Sequence, residues 1–225
     1  RYEIYQVEIS ILQVNNKKRR QKLLDSCSIC LITSPKKEII SIISSALKSG
    51  VKMVQYRCKE SKTSDKKKLS EANELASLCK KHEALFIIND RVDIALATDA
   101  DGVHLGQDDI PTHIARQLIG EEKLIGRSTH NIEQIKSAEN ENCDYIGLGP
   151  IFSSKSKHQE KVLGVGLLKE AYNETKLPLF AIGGIDASNV NEINSTGTNK
   201  IAVINAIINQ EDPGFASQQL LKKLL

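Results

Sequence analysis

Tryptophan is absent from the 225 residues, and Phe and Tyr bring the aromatic share to only 4%. Base-stacking platforms and aromatic interface anchors need such rings, so a nucleic-acid surface of that kind is disfavoured. Charge of one sign is also scarce, since 31 Lys and Arg against 28 Asp and Glu leave a formal charge of +3. That suits a small anionic ligand and is too little to argue for nucleic acid. No apolar run approaches the roughly 18 residues of a membrane span, and the N-terminus has no secretory pattern. The five cysteines are odd in number and sit in or beside apolar runs, as in a reduced intracellular protein without a disulfide framework. Cys27 and Cys30 form a C-x-x-C, but no second pair follows at zinc-site spacing, and both read as buried strand thiols. The expected address is cytoplasmic, with no membrane and no nucleic-acid partner.

What is present is ordered. Hydrophobic content of 40% with 26% charged residues fits one globular domain. Eight short apolar runs recur along the chain: SICLITS (28–34), KMVQYR (52–57), ALFIIN (84–89), GVHLGQ (102–107), LIGRST (124–129), YIGLGP (145–150), LFAIGG (179–184) and IAVINA (201–206). Nearly continuous apolar character marks parallel strands covered on both faces, and each run is followed by a helix-like segment. Eight such units predict an α/β fold, a single-domain (β/α)₈ TIM barrel over residues 26–225, preceded by an N-terminal extension, 1–25, of unknown role. The basic run Lys17-Lys18-Arg19-Arg20 in that extension reads as a solvated face. Ser34-Pro35 predicts a helix N-cap and first-turn proline, followed by an apolar face of Ile39, Ile42, Ile43, Ala46 and Leu47 ended by Gly50. Asp212-Pro213 predicts the start of the last helix.

In such a barrel chemistry sits at the C-terminal ends of the strands. The polar residues closing the runs are Gln55, Arg57 and Lys59, then Asn89 and Asp90, then Gln107, Asp108 and Asp109, then Ser128, Thr129 and His130. The loop after the sixth run adds Ser154, Ser156 and Lys157. Arg57, Lys59 and Lys157 suit phosphate oxygens, while Asp90 and Asp109 suit magnesium, which takes oxygen ligands and typically one or two carboxylates plus substrate phosphates. Gly183-Gly184, paired with the Ile204-Asn205 turn, offers backbone N–H groups to a second phosphate. Two anion sites across one barrel mouth predict two phosphorylated substrates.

The segments VQYRCK, INDRVDIALATDADGVHLGQDD, GRSTHN, DYIGLGPIFSSKSK and AIGGI, taken in order, resemble the thiamine-phosphate synthase family from about Cys30 to the end of the chain. The longest of them also fits the related thiazole tautomerases. The resemblance implies a transferase that condenses hydroxymethylpyrimidine diphosphate with a thiazole phosphate, releasing diphosphate. It implies that Gln55, Arg57, Lys59, Asn89 and Lys157 hold the diphosphate, that Asp90 and Asp109 hold Mg²⁺, and that Ser128 lies beside the pyrimidine and leaving group. Ser128, Lys157 and Arg57 would then be the catalytic residues. Ser154 and Ser156 stand where the family usually has threonine, and both keep the hydroxyl. Gly183 and the backbone near Ile204 and Asn205 would hold the thiazole phosphate.

Dissociative displacement of this kind asks for charge neutralisation and alignment, so no nucleophile–base pair is expected. His104 and His130 accordingly read as hydrogen-bonding residues. Arg127 stands where a small apolar residue is usual, and if it pointed into the barrel it would crowd the pyrimidine or add a phosphate contact. Two alternatives remain at this point: a thiazole tautomerase-like isomerase, and a non-catalytic thiazole-phosphate binding protein. The partners expected are small molecules, with a homo-oligomer left open.

Overall fold

The computed structural model describes residues 2–153 and 161–224. Eight strands, β1 (Ile29–Ile32), β2 (Met53–Tyr56), β3 (Leu85–Asn89), β4 (Gly102–Leu105), β5 (Leu124–Thr129), β6 (Tyr145–Leu148), β7 (Leu179–Ile182) and β8 (Ile201–Val203), pair in sequence order into a closed parallel barrel. Helices alternate with them: α1 (Tyr2–Ser26) precedes β1, and α2 (Ile39–Lys48), α3 (Asp65–Lys81), α4 (Val92–Ala97), α5 (Thr112–Ile119), α6 (Ile132–Asn140), α7 (Gly164–Glu174) and α8 (Val190–Asn194) connect consecutive strands. α9 (Asn205–Ile208) and α10 (Pro213–Leu224) follow β8. The predicted (β/α)₈ barrel is the observed fold. Among the described residues no helix is long and apolar enough to cross a membrane.

Strand side chains divide by parity into two buried clusters, as a period of two demands. Leu31, Val54, Phe86, Ile88, Val103, Ile125, Ile146 and Ala181 face the helices. Cys30, Met53, Leu85, Ile87, Leu124, Tyr145, Phe180 and Ala202 fill the lumen. That lumen is packed and closed at its lower end, because Leu24 and Cys27 join the same cluster beside Met53, Leu85 and Leu124, each at or near the start of its strand.

The end of α1 is therefore the barrel's plug. Leu24 is fully buried, which stabilises by about 2 kcal/mol. Lys200 Nζ caps the carbonyl end of α1, donating to the carbonyls of Asp25 and Cys27 at 2.7 Å and of Leu24 at 3.2 Å. The basic run is not a solvated face throughout. Arg20 is buried, with Nε 2.9 Å from Asp101 Oδ1 and Nη1 3.1 Å from the Glu122 carbonyl, and Arg19 also pairs with Asp101. Asp101 in turn accepts from the Phe86 amide at 3.0 Å, tying the helix to the foot of β3.

Two local expectations need correction. α2 begins at Ile39, with Glu38 as an N-cap lacking a side-chain bond, and Ser34-Pro35 lie in the preceding loop. The reason is that Thr33 continues the strand path, its N–H on the Gln55 carbonyl at 2.9 Å and its hydroxyl accepting from the Arg57 amide at 2.9 Å. Cys27 lies before β1 and only Cys30 lies in the strand. At the other end of the chain the expectation holds: Asp212 Oδ1 accepts from the Phe215 amide at 2.9 Å and opens α10.

Candidate functional site

A cavity of about 430 Å³ opens at the C-terminal ends of the strands. Of the residues singled out from the sequence, Gln55, Arg57, Lys59, Asn89, Asp90, His104, Gln107, Asp109, Ser128, Thr129, His130, Gly183, Gly184, Ile204 and Asn205 line it. Asp108 is exposed and is not among them. Ser154, Ser156 and Lys157 lie outside the described residues.

Gln55 projects into the lumen and is fixed by donating from Nε2 to Asn89 Oδ1 at 2.7 Å. The Thr33 hydroxyl that accepts from the Arg57 amide also donates to the Arg57 carbonyl at 3.3 Å, so the backbone that carries the guanidinium is held at both polar atoms. Asp90 adopts a left-handed conformation, φ 63°, which Asp tolerates better than most residues. Its amide donates to the His104 carbonyl at 2.9 Å, which turns the chain at the end of β3 toward the cavity.

Asp109 is held by the Gly106 amide, which donates to Oδ2 at 2.6 Å. Its carboxyl is close enough to Asp90 to act on that residue's pKa. Burial, then the Asp109 carboxyl, pushes Asp90 above the ordinary carboxylate range, against the opposing pull of Lys59 Nζ at 3.3 Å. Asp90 and Asp109, with Lys59 beside Asp90, are the carboxylates here that could contribute to holding a hard cation. Among the described residues no group of three or more His, Cys, Asp or Glu could hold a metal, so any such ion would rely on outside oxygens to complete its shell.

On the adjoining wall, Ser128 Oγ lies 2.9 Å from His104 Nε2, and its carbonyl accepts from Gln107 Nε2 at 2.6 Å. His104 is buried, and desolvation pushes its pKa down to about 4, so it is neutral near pH 7 and a poor proton acceptor there. His130 Nδ1 is bonded to the Gly149 carbonyl at 2.6 Å. Both histidines are hydrogen-bonded residues of the wall.

The opposite wall is built by Gly183 and Gly184, with φ of 100° and 65°. A Cβ on Gly183 would come within 2.5 Å of Pro150 Cβ, and one on Gly184 within 2.4 Å of the Ser153 carbonyl. Glycine is therefore required twice over, for backbone sign and for space. The loop after β6 seals against this turn, Ile151 N–H to the Ile182 carbonyl at 2.8 Å and Phe152 N–H to the Gly183 carbonyl at 3.0 Å.

Arg127 does not enter the cavity. It pairs in register with Leu105 and Ile146, whose side chains face the helices, and it is not among the residues lining the cavity. Its Nη1 is buried without a hydrogen-bond partner among the described residues. The predicted crowding of the pocket is thus removed by parity, since the next residue, Ser128, takes the inward position.

The cavity floor went unnoticed in the sequence: Cys30, Tyr145, Phe180, Ile182 and Ala202. Register carries the signal. Ser128 pairs with Gly147 and Gly126 with Tyr145, so the inward parity at Ser128 fixes Tyr145 as inward too. Gly126 makes the room, since a Cβ there would lie 2.1 Å from Tyr145 Cζ.

Residues 29–207 match the sequence model of the thiamine monophosphate synthase family. Thiamine-phosphate synthase of Prochlorococcus marinus is 51% identical over 224 residues, covering all of this chain and 64% of the relative. The protein of that name from Parasynechococcus marenigrum is 48% identical with the same coverage. The chain thus spans just under two thirds of the length of the curated relatives it matches. Among solved structures, thiamine phosphate pyrophosphorylase from Pyrococcus furiosus superposes with a TM-score of 0.80 at 33% identity, over 91% of this chain and 96% of that one.

Proposed function

The chain belongs to the thiamine monophosphate synthase family, and we propose that it joins hydroxymethylpyrimidine diphosphate to a thiazole phosphate, releasing diphosphate, with magnesium as its cofactor. The observation that carries this reading is the pairing of Asp90 with Asp109 beside Lys59 and Arg57, across one cavity from the glycine turn at Gly183. A single-phosphate isomerase has no use for the acidic pair.

The acidic pair fits magnesium, which needs few protein carboxylates when substrate phosphates supply further oxygens. Asp90 and Asp109 would hold the ion, whose chemistry when bound is to offset negative charge on the diphosphate. Arg57 and Lys59 supply the remaining positive charge, Arg57 as a two-pronged donor and Lys59 as a mobile point charge. Gln55 and Asn89, locked to each other, present fixed dipoles beneath them. Ser128 supplies a hydroxyl beside the breaking bond. From the family resemblance, Ser154, Ser156 and Lys157 add hydroxyl donors and a third cation.

On the other wall, the Gly183 turn and the backbone at Ile204 and Asn205 tether the thiazole phosphate, so that the ring nitrogen faces the pyrimidine methylene. The apolar floor of Tyr145, Phe180 and Ile182 keeps water from capturing the cationic pyrimidine first. Alignment and charge neutralisation carry the rate, and no residue acts as a nucleophile.

The test is diphosphate release by the purified chain with each substrate alone, with both, and with both plus chelator. Release confined to the two-substrate, metal-replete reaction is expected. Its absence there, with isomerisation of a thiazole carboxylate phosphate instead, would mark a tautomerase, and binding without turnover would mark a phosphate-ligand binder.

A further inference from the structure

Ser128 is one end of a hydrogen-bonded line that runs down into the barrel. His104 Nε2 lies 2.9 Å from Ser128 Oγ, and His104 Nδ1 lies 3.2 Å from the Tyr145 hydroxyl. Both ring residues are buried, the phenol at 2% exposure, and their centroids stand 5.5 Å apart. Gly126 gives up its side-chain volume to admit the phenol ring. The line is anchored a second time at its upper end, where Gln107 holds the Ser128 carbonyl.

A neutral imidazole has one N–H, so the partner on one nitrogen decides what the other nitrogen does. His104 is the one hydrogen-bond partner of the Tyr145 hydroxyl among the described residues. If Nδ1 carried the proton, the phenolic hydrogen would be buried with no acceptor, at a cost of about 1–3 kcal/mol. If the phenol donates to Nδ1, the ring proton sits on Nε2 and is given to Ser128 Oγ. The serine oxygen is then an acceptor toward the barrel, and its own hydrogen is left to point at the cavity.

We propose that Tyr145 fixes the His104 tautomer and thereby makes Ser128 an obligate hydrogen-bond donor toward the substrate. Tyr145 and His104 are positioning residues that act through Ser128. Under the function proposed above, on which this part of the inference rests, the acceptor is an oxygen of the departing diphosphate, whose charge grows as the bond to the pyrimidine methylene breaks. A donor whose direction is set before the reaction begins costs no reorganisation at that moment.

Nitrogen-15 spectra of histidine-labelled protein read the tautomer without any reaction. His104 is expected as the Nε2–H form in the unaltered chain and as a mixture or the Nδ1–H form in Tyr145→Phe, which keeps the ring packed under Gly126. An Nδ1–H tautomer in the unaltered chain overturns the proposal. Kinetically, Tyr145→Phe should lower kcat about 10-fold, with KM for the thiazole phosphate unchanged, which corresponds to about 1.4 kcal/mol. In a Ser128→Ala background the same change should do nothing more, because the group it positions is gone. An equal further loss in that background would show that Tyr145 acts by another route. If the unaltered chain releases no diphosphate, the functional reading fails while the nitrogen spectra still decide the tautomer.

Discussion

Lys59 Nζ lies 3.3 Å from Asp90 Oδ2, while the nearby carboxyl of Asp109 pushes the Asp90 pKa up. Lys59 is 59% exposed and its pairing is weakened by solvent. Asp90 is three-quarters buried and therefore remains under strain from its neighbour. The raised pKa has a definite sign for stability. The neutral acid is the form the fold prefers, so its contribution is complete below the ordinary value of 3.8 and is lost as pH rises through the higher folded value. At pH 7, without metal, the ionised Asp90 carboxylate works against folding.

Asp90→Asn should therefore raise the melting temperature of the metal-free protein at pH 7, by about 2–4 °C for each ~1 kcal/mol relieved. Asn also tolerates the left-handed backbone at this position. The gain should shrink as pH falls through the raised folded value and Asp90 takes up its proton, and thermal scans across that range measure it.

Gly183→Ala should weaken the thiazole-phosphate end selectively. A methyl group would collide with Pro150 at a φ of 100°, and strain of this kind costs about 1–3 kcal/mol. KM for the thiazole phosphate is expected to rise about 10-fold or more, with KM for the pyrimidine diphosphate within about twofold. Steady-state kinetics with each substrate varied in turn separates the two.

Arg127→Met should leave both KM values and kcat within about twofold, because the side chain faces the helices and not the cavity. Its stability effect should be small, about 1 kcal/mol either way, since a partly unsatisfied buried guanidinium gives way to an apolar chain of similar reach. A rise in either KM beyond about fivefold would place Arg127 in the site.

Arg20→Ala should destabilise by about 3–5 kcal/mol in urea unfolding, because Asp101 loses its buried partner. The lower end of that range is expected, since Arg19 still reaches Asp101.

Strand positions were legible because both faces of each strand are buried, and LIGRST coincides with β5 to the residue. The start of α2 was not, because a tertiary bond from Thr33 to the end of β2 overrides the local Ser-Pro signal. The burial of Arg20 has no local signal, since nothing in the sequence distinguishes it from its basic neighbours. Only the fold brings Asp101, 81 residues away, against it. At the site, strand-end polar residues marked the rim, but the floor requires knowing which parity points inward. That is why Tyr145 and Phe180 escaped notice and why the direction of Arg127 stayed conditional until the register was known.

The most direct check of the acidic pair is manganese binding, followed by electron paramagnetic resonance, with inorganic diphosphate present. One tightly held ion per chain is expected in the unaltered protein, with loss of at least about 10-fold in affinity in Asp109→Asn. Equal affinity in the two proteins would contradict a shared metal between Asp90 and Asp109.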